Sequence, residues 1–121
     1  LQCNEREFEA LVPAGNEAER VRMLFEVAAP RLFVLTRAEA GADLYSAPAD
    51  ALHVPALPPP RLVDATGCGD AFGSTLALGL ARGERLPDAA ARAARAASFV
   101  AGLPGSQGMS GLRTHMLRGA A

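Results

Sequence analysis

A chain of 121 residues, half of them hydrophobic and with a formal net charge of -1, is long enough to bury a core and amounts to one domain. That balance excludes a disordered tail and a surface built for a polyanion, so nucleic acid is not an expected partner. No apolar run reaches the length needed to cross a bilayer, so no membrane partner is expected. Cys3 and Cys68 are too few for a disulfide framework, and the expected setting is soluble, reducing and cytoplasmic.

Asn4 caps a first helix, with Glu7 at the third position and Phe8, Leu11 and Val12 at helical spacing. Asn16 opens a second with Glu19 three residues on, and Val21, Leu24, Phe25 and Ala28 share one face before Pro30 ends it. The unbroken run Leu32-Phe33-Val34-Leu35 predicts a strand covered on both faces, of the parallel type. Gly41 then turns the chain into extended segments over residues 42–46 and 52–54. Pro55 and Pro58-Pro59-Pro60 mark a connector, Leu62-Val63 leads into a glycine turn, and a buried helix runs from Asp70 to about Arg82, stopped by Gly83. Pro87 and Asp88 open another helix, whose Ala90, Ala93, Ala94 and Ala97 make a flat face. Residues 102–111 read as a glycine-rich loop, and the last ten as a loose helix. Strands mixed with helices predict an α/β layer.

The most informative stretch is Asp64-Ala65-Thr66-Gly67-Cys68-Gly69-Asp70-Ala71-Phe72, where a strand hands over to a helix. Gly67 and Gly69 let main-chain N–H groups converge, and the helix adds the positive end of its dipole, which together make an anion cradle. Asp70, three residues after Gly67, brings a carboxylate to its rim. A phosphate cradle beside a proton acceptor suggests phosphoryl transfer to a hydroxyl.

These residues resemble the ribokinase-like, or PfkB-type, carbohydrate kinases. Their signature, of the form Asp-Thr-Thr-Gly-Ala-Gly-Asp-Ala-Phe, is matched from Asp64 to Phe72 with Ala65 and Cys68 as departures. The family's Asn-x-x-Glu motif is matched by Asn4 and Glu7, and Thr36-Arg37-Ala38-Glu39-Ala40-Gly41 is similar to its Thr-x-Gly-x-x-Gly turn. The resemblance implies the C-terminal, nucleotide-binding and catalytic portion of a ribokinase-like three-layer α/β fold over residues 1–121, incomplete without the N-terminal sheet and lid. It implies that Asp70 is the base that takes the acceptor's proton while the backbone of Gly67, Cys68 and Gly69 stabilises the moving phosphoryl group. It further implies that ATP and Mg2+ are the cofactors. By the same resemblance Asn4 and Glu7 would hold the metal largely through water, and Thr36, Ala38 and Gly41 would lie along the phosphates. Asp64 matches a position that helps order a monovalent-cation loop, for an ion such as K+, and the loop containing Gly105 borders the adenine. The partners implied are ATP and a small sugar, and a homodimer is compatible with the family.

Two departures bear on the site. Ala38 stands where the family has glycine, adding a methyl where backbone comes close. Cys68 puts a thiol at a helix N-terminus, which is expected to lower its pKa. Blander readings accompany each motif. Asn4 and Glu7 also make a capping box, as the same spacing from Asn16 to Glu19 does, and both roles can coexist. Asp70 also suits the helix dipole. Gly67-Cys68-Gly69 begins a dinucleotide-type pattern, but Phe72 takes the third glycine's place, and a P-loop lacks its lysine. His53 and His115 read as surface residues.

The expected activity is ATP-dependent phosphoryl transfer to a hydroxyl of a sugar or similar small molecule. The alternative is a truncated, non-catalytic fragment that binds nucleotide or another protein, since Leu1-Gln2-Cys3 reads as entry into the middle of a fold. In that case the Leu32 to Leu35 strand is expected to lack a neighbour and to promote association.

Overall fold

The computed structural model describes residues 1–59, 61 and 64–103. The chain divides into two compact units, Leu1–Pro55 and Ala56–Ala121. The expectations for Gly105, for His115 and for a helix in the last ten residues lie outside the described residues.

In the first unit the elements run β1 (Gln2–Asn4), α1 (Glu5–Leu11), α2 (Glu17–Ala28), β2 (Phe33–Thr36), a 3-10 turn (Ala38–Ala40), β3 (Ala42–Ala47) and β4 (Asp50–Val54). The four strands form one sheet in the order β1-β2-β3-β4. β1 pairs parallel to β2, Gln2 opposite Val34 and Asn4 opposite Thr36, and the two helices make the crossover that a parallel pair requires. β2 and β3 are antiparallel, with Phe33 opposite Tyr45 and Thr36 opposite Ala42, and β3 and β4 form a second antiparallel pair with an irregularity between Tyr45 and Ala47. The mixed α/β layer is therefore as the sequence implies, but β2 is parallel on one side only. It also lies inside the sheet. The expectation that Leu32 to Leu35 lacks a neighbour is corrected: β1 and β4 are the outer strands among the described residues.

Alternation along the strands sorts the apolar residues to two faces. Phe33 and Leu35 join Cys3, Phe8, Val21 and Leu24 in a core that α1 and α2 cover, with Val12, Phe25 and Tyr45 at its margin. The Phe33 ring lies 4.9 Å from that of Phe8 and 5.8 Å from that of Tyr45, centroid to centroid. On the opposite face Val34, Ala42, Leu44 and Val54 are buried as well. Burial on both sides is what the unbroken apolar run demands.

The second unit is built on α3 (Cys68–Ala81) and α4 (Leu86–Ala101), which pack together. Ala71, Ala96 and Val100 form its core, with Cys68 and Phe99 against it. Ala89, Ala90 and Ala93 are fully buried, so the flat alanine face does admit a close neighbour. Gly79 of α3 has little room: a Cβ there would stand 3.0 Å from Ala89 Cβ and 2.9 Å from Glu84 Oε2. α3 begins at Cys68, two residues before the expected start, and Gly83 at φ 82° follows its end. α4 starts at Leu86 with proline in its first turn and no side-chain cap.

Candidate functional site

The glycine turn of the second unit takes its shape from backbone and side chain together. Asp64 N–H donates to Ala101 O at 3.2 Å, fastening the turn to the end of α4. The half-buried Asp64 carboxylate accepts the Thr66 N–H at 2.8 Å, so its immediate work is to order the turn. Gly67, at φ 85° and ψ -3°, is the left-handed residue that lets the chain swing into α3. Its carbonyl takes the first helical bond, from Ala71 N–H at 2.9 Å. Cys68 N–H turns back to Ala65 O at 3.2 Å, a long bond, so this amide of the expected cradle already has an acceptor.

Asp70 lies in the first turn of α3 and is exposed. The Ser74 hydroxyl donates to the Asp70 main-chain carbonyl at 2.6 Å and not to its carboxylate. Among the described residues no cation pairs with that carboxylate, which stands at the mouth of the helix with its acceptor oxygens uncommitted. The expectation for Cys68 is corrected. Burial pushes its thiol above the ordinary value, and the Asp64 carboxylate pushes it the same way. The thiol is half-buried against the core of its unit, where a thiolate would lose its water, and that cost exceeds what the helix N-terminus offers.

The other predicted residues lie in the first unit. Asn4 and Glu7 form a complete capping box at the start of α1: Glu7 N–H donates to Asn4 Oδ1 at 2.8 Å, and Asn4 N–H donates to Glu7 Oε2 at 2.8 Å. Both are exposed, and the box leaves Glu7 Oε1 outside it. An amide oxygen and a carboxylate at the surface suit a hard cation that keeps most of its waters. Among the described residues no group of three or more His, Cys, Asp or Glu is arranged to hold a metal by itself.

The Thr36 hydroxyl donates to Cys3 O across the parallel pair at 3.4 Å. After it the chain closes a tight turn, with Arg37 N–H to Gly41 O at 2.7 Å, Ala40 N–H to Arg37 O at 2.9 Å and Gly41 N–H to Ala38 O at 3.1 Å. Gly41 has φ 96° and ψ -138°, a conformation open to glycine alone. Ala38, exposed, has φ 49°. A glycine at that position answers a backbone requirement, and alanine meets it with strain.

One side chain of this turn has no counterpart among the sequence-predicted site residues. The Arg37 guanidinium donates from Nε to Asp43 Oδ2 at 2.7 Å, from Nη1 to Glu5 Oε2 at 3.1 Å and to Glu17 Oε2 at 2.9 Å, and from Nη2 to Glu17 Oε1. Asp43 Oδ1 lies 2.6 Å from His53 Nδ1. The hydrogen bond to Glu17 is the largest influence on Arg37 and holds its proton more firmly than usual. Burial pushes the Asp43 carboxyl up, but the hydrogen bonds from His53 and Arg37, with their charges, outweigh it and hold the group below its ordinary value. These partners are 6, 20 and 32 residues from Arg37 in sequence, beyond the reach of any local pattern.

Comparison with known proteins places this geometry. The profile of the pfkB family carbohydrate kinases matches residues 1–112. The bifunctional protein HldE of Pseudomonas entomophila is 42% identical over 112 residues, which cover 88% of this chain and 23% of that protein. The ribokinase of Arabidopsis thaliana, solved with ribose and ATP, superposes with a TM-score of 0.79 at 23% identity, over 87% of this chain and 35% of that one. A ribokinase II from E. coli, solved with ATP and Mg2+, superposes with a TM-score of 0.79 at 24% identity, over 97% of this chain and 38% of that one. At these identities the likeness to solved structures establishes the fold: the chain carries part of the ribokinase architecture, and it spans about a quarter of the curated relative's length.

Proposed function

This chain belongs to the pfkB family of carbohydrate kinases, and from that premise we propose that it supplies the nucleotide-binding and proton-accepting part of an ATP-dependent transfer of phosphoryl to a hydroxyl of a small sugar-like molecule. The observation that carries the proposal is the exposed, uncommitted carboxylate of Asp70, one helical turn from the left-handed Gly67 at the mouth of α3. In this reading Asp70 accepts the proton of the acceptor hydroxyl as the new O–P bond forms and the bond to the leaving ADP breaks. Proton transfer late in a loose transition state asks for position more than for basicity. The backbone of Gly67, Cys68 and Gly69 and the N-terminal end of α3 stabilise charge on the moving group; the Cys68 N–H now reaches Ala65 O at a long 3.2 Å, a bond an anion can compete for.

Thr36, Ala38 and Gly41 lie along the nucleotide phosphates in this reading, and Gly105 lies near the adenine. Mg2+, held by Asn4 and Glu7 largely through water, would supply neutralisation of phosphate charge. Asp64, already ordering its turn, would also shape a loop for a monovalent cation such as K+. The activity is proposed for the natural polypeptide that carries this segment. The relative's greater length supports a second reading, in which the segment by itself binds nucleotide without turnover.

The decisive experiment is Asp70→Asn in that polypeptide, assayed for ADP release with a panel of sugars and for Mg-ATP affinity by calorimetry. Loss of a positioned base lowers turnover by about 100- to 10,000-fold. Affinity is expected to stay within threefold. Turnover within a few-fold of wild type would remove Asp70 from the role of base. Phosphorylation of a sugar by the isolated 121-residue chain would end the second reading.

A further inference from the structure

A lone arginine in a turn that faces phosphates invites the view that it grips them. The geometry here points elsewhere. Arg37 has five N–H donors in a fixed fork, and four bonds to Asp43, Glu5 and Glu17 occupy its Nε, Nη1 and Nη2. Its side chain is only 16% exposed. Three carboxylates surround one guanidinium, so the cluster has surplus negative charge on the side of the turn from which Arg37 points, and no attraction for a phosphate there.

What the fork does hold is the chain. Asp43 is in β3, just past the turn, and Glu5 and Glu17 lie in the first turns of α1 and α2. Arg37, between Thr36 and the strained Ala38, therefore ties the turn on both sides to the sheet and to both helices of its unit. The backbone bonds Arg37 N–H to Gly41 O and Gly41 N–H to Ala38 O would not by themselves hold alanine at φ 49°, since each is a single exchangeable bond and the left-handed conformation costs about 1 to 2 kcal/mol. Charge-assisted bidentate bonds are the stronger kind.

We propose that Arg37 is a positioning residue: its guanidinium, clamped by Asp43, Glu17 and Glu5, locks the Thr36 to Gly41 turn in the shape that receives the nucleotide phosphates, without touching them. The phosphate half of this statement rests on the function proposed above; the locking half does not. Arg37→Lys keeps the charge and loses the fork, Arg37→Met loses both, and Asp43→Asn loosens the clamp while leaving the arginine in place.

The test measures two things in the full chain below its melting temperature. Amide exchange at Ala40 and Gly41 reads the turn, and calorimetry with Mg-ATP and with adenosine reads binding. The clamp predicts that Ala40 and Gly41 exchange at least tenfold faster in all three variants. It also predicts that each variant weakens Mg-ATP binding about tenfold and leaves adenosine binding within twofold. Tighter or unchanged Mg-ATP binding in Asp43→Asn, with loss in Arg37→Met, would make the arginine a direct phosphate ligand and overturn the proposal. Unchanged exchange at Ala40 and Gly41 in Arg37→Met would overturn it too. If the wild-type chain fails to bind Mg-ATP, the functional reading fails by itself, and amide exchange alone then decides the clamp.

Discussion

Ala38→Gly should stabilise this protein, against the usual rule that glycine weakens a chain. The left-handed conformation at Ala38, φ 49°, costs a residue with a Cβ about 1 to 2 kcal/mol. Glycine adopts it freely but gains freedom in the unfolded state, worth about 0.4 to 1 kcal/mol against it. Ala38 is exposed, so removing its methyl opens no cavity. The difference leaves roughly 0.5 to 1 kcal/mol in favour of glycine, or about 2 to 6 °C in melting temperature for a domain of this size. Ala29 provides an internal control. It ends α2 at φ 43° and ψ 52°, also exposed and also left-handed, in a place where helices commonly use glycine. Ala29→Gly should give a gain of similar size, and the double variant should give the sum, because the two residues share no hydrogen-bond partner. Calorimetric scans of the four proteins check this. A gain at Ala29 with a loss at Ala38 would mean that the turn holds Ala38 without strain, and the account of its geometry given above would fall.

Cys68, pushed above its ordinary thiol value first by burial and then by Asp64, should react with iodoacetamide at pH 7.5 more slowly than a free cysteine, and Asp64→Asn should speed it; labelling faster than free cysteine would restore the helix-dipole view. Gly79→Ala should destabilise by about 1 to 3 kcal/mol in urea unfolding, because the new methyl meets Ala89 Cβ at 3.0 Å on a helix already in contact; a neutral result would show that α3 and α4 can part at no cost. Asp43, held below its ordinary value of 3.8, stabilises the fold in full above that pH, and the contribution fades as the pH falls through the lower folded value, because the unfolded chain takes up the proton first. The gap in urea midpoint between wild type and Asp43→Asn should therefore be widest near neutrality and shrink on going from pH 5 to pH 2; a gap independent of pH would contradict it.

Much of the fold was legible because it is written locally. Phe33, Val34 and Leu35 form an apolar run that only a strand buried on both faces can use, and Asn4 with Glu7 and Asn16 with Glu19 mark helix starts at fixed spacing. β1 was not legible. Gln2, Cys3 and Asn4 carry no strand pattern, and they are extended because Val34, Leu35 and Thr36 lie beside them, thirty-odd residues on. The inner position of β2 was missed for the same reason. At the candidate site, Gly67 and Gly41 announce their positive φ by being glycine, whereas Ala38 has the same sign of φ under a residue that gives no sign of it. The thiol of Cys68 was misread because the dipole of its own helix is a sequence-level fact, while burial against Ala71, Ala96 and Val100 is a tertiary one.

Arg37 is the sharpest case, because composition actively hides it. With no lysine in the chain, every arginine reads as the product of one compositional bias, and nothing distinguishes a required guanidinium from an interchangeable cation. Geometry does distinguish them. Arg92 reaches Glu84 from Nη2 at 3.0 Å, and Arg20 reaches Glu9 at 3.8 Å, one carboxylate each, contacts that an ammonium group can make about as well. Arg37 engages Nε, Nη1 and Nη2 with three carboxylates at once, which a single ammonium on a flexible stem cannot span. Arg92→Lys should therefore unfold within about 0.5 kcal/mol of wild type, as surface pairs generally do. Arg37→Lys should lose about 1 kcal/mol or more, because an ammonium cannot keep both the two-point bond to Glu17 and the bond to Asp43, whose side chain is mostly buried. Equal losses at the two positions would mean that charge alone matters at Arg37, and the fork would then have no claim to shape the turn.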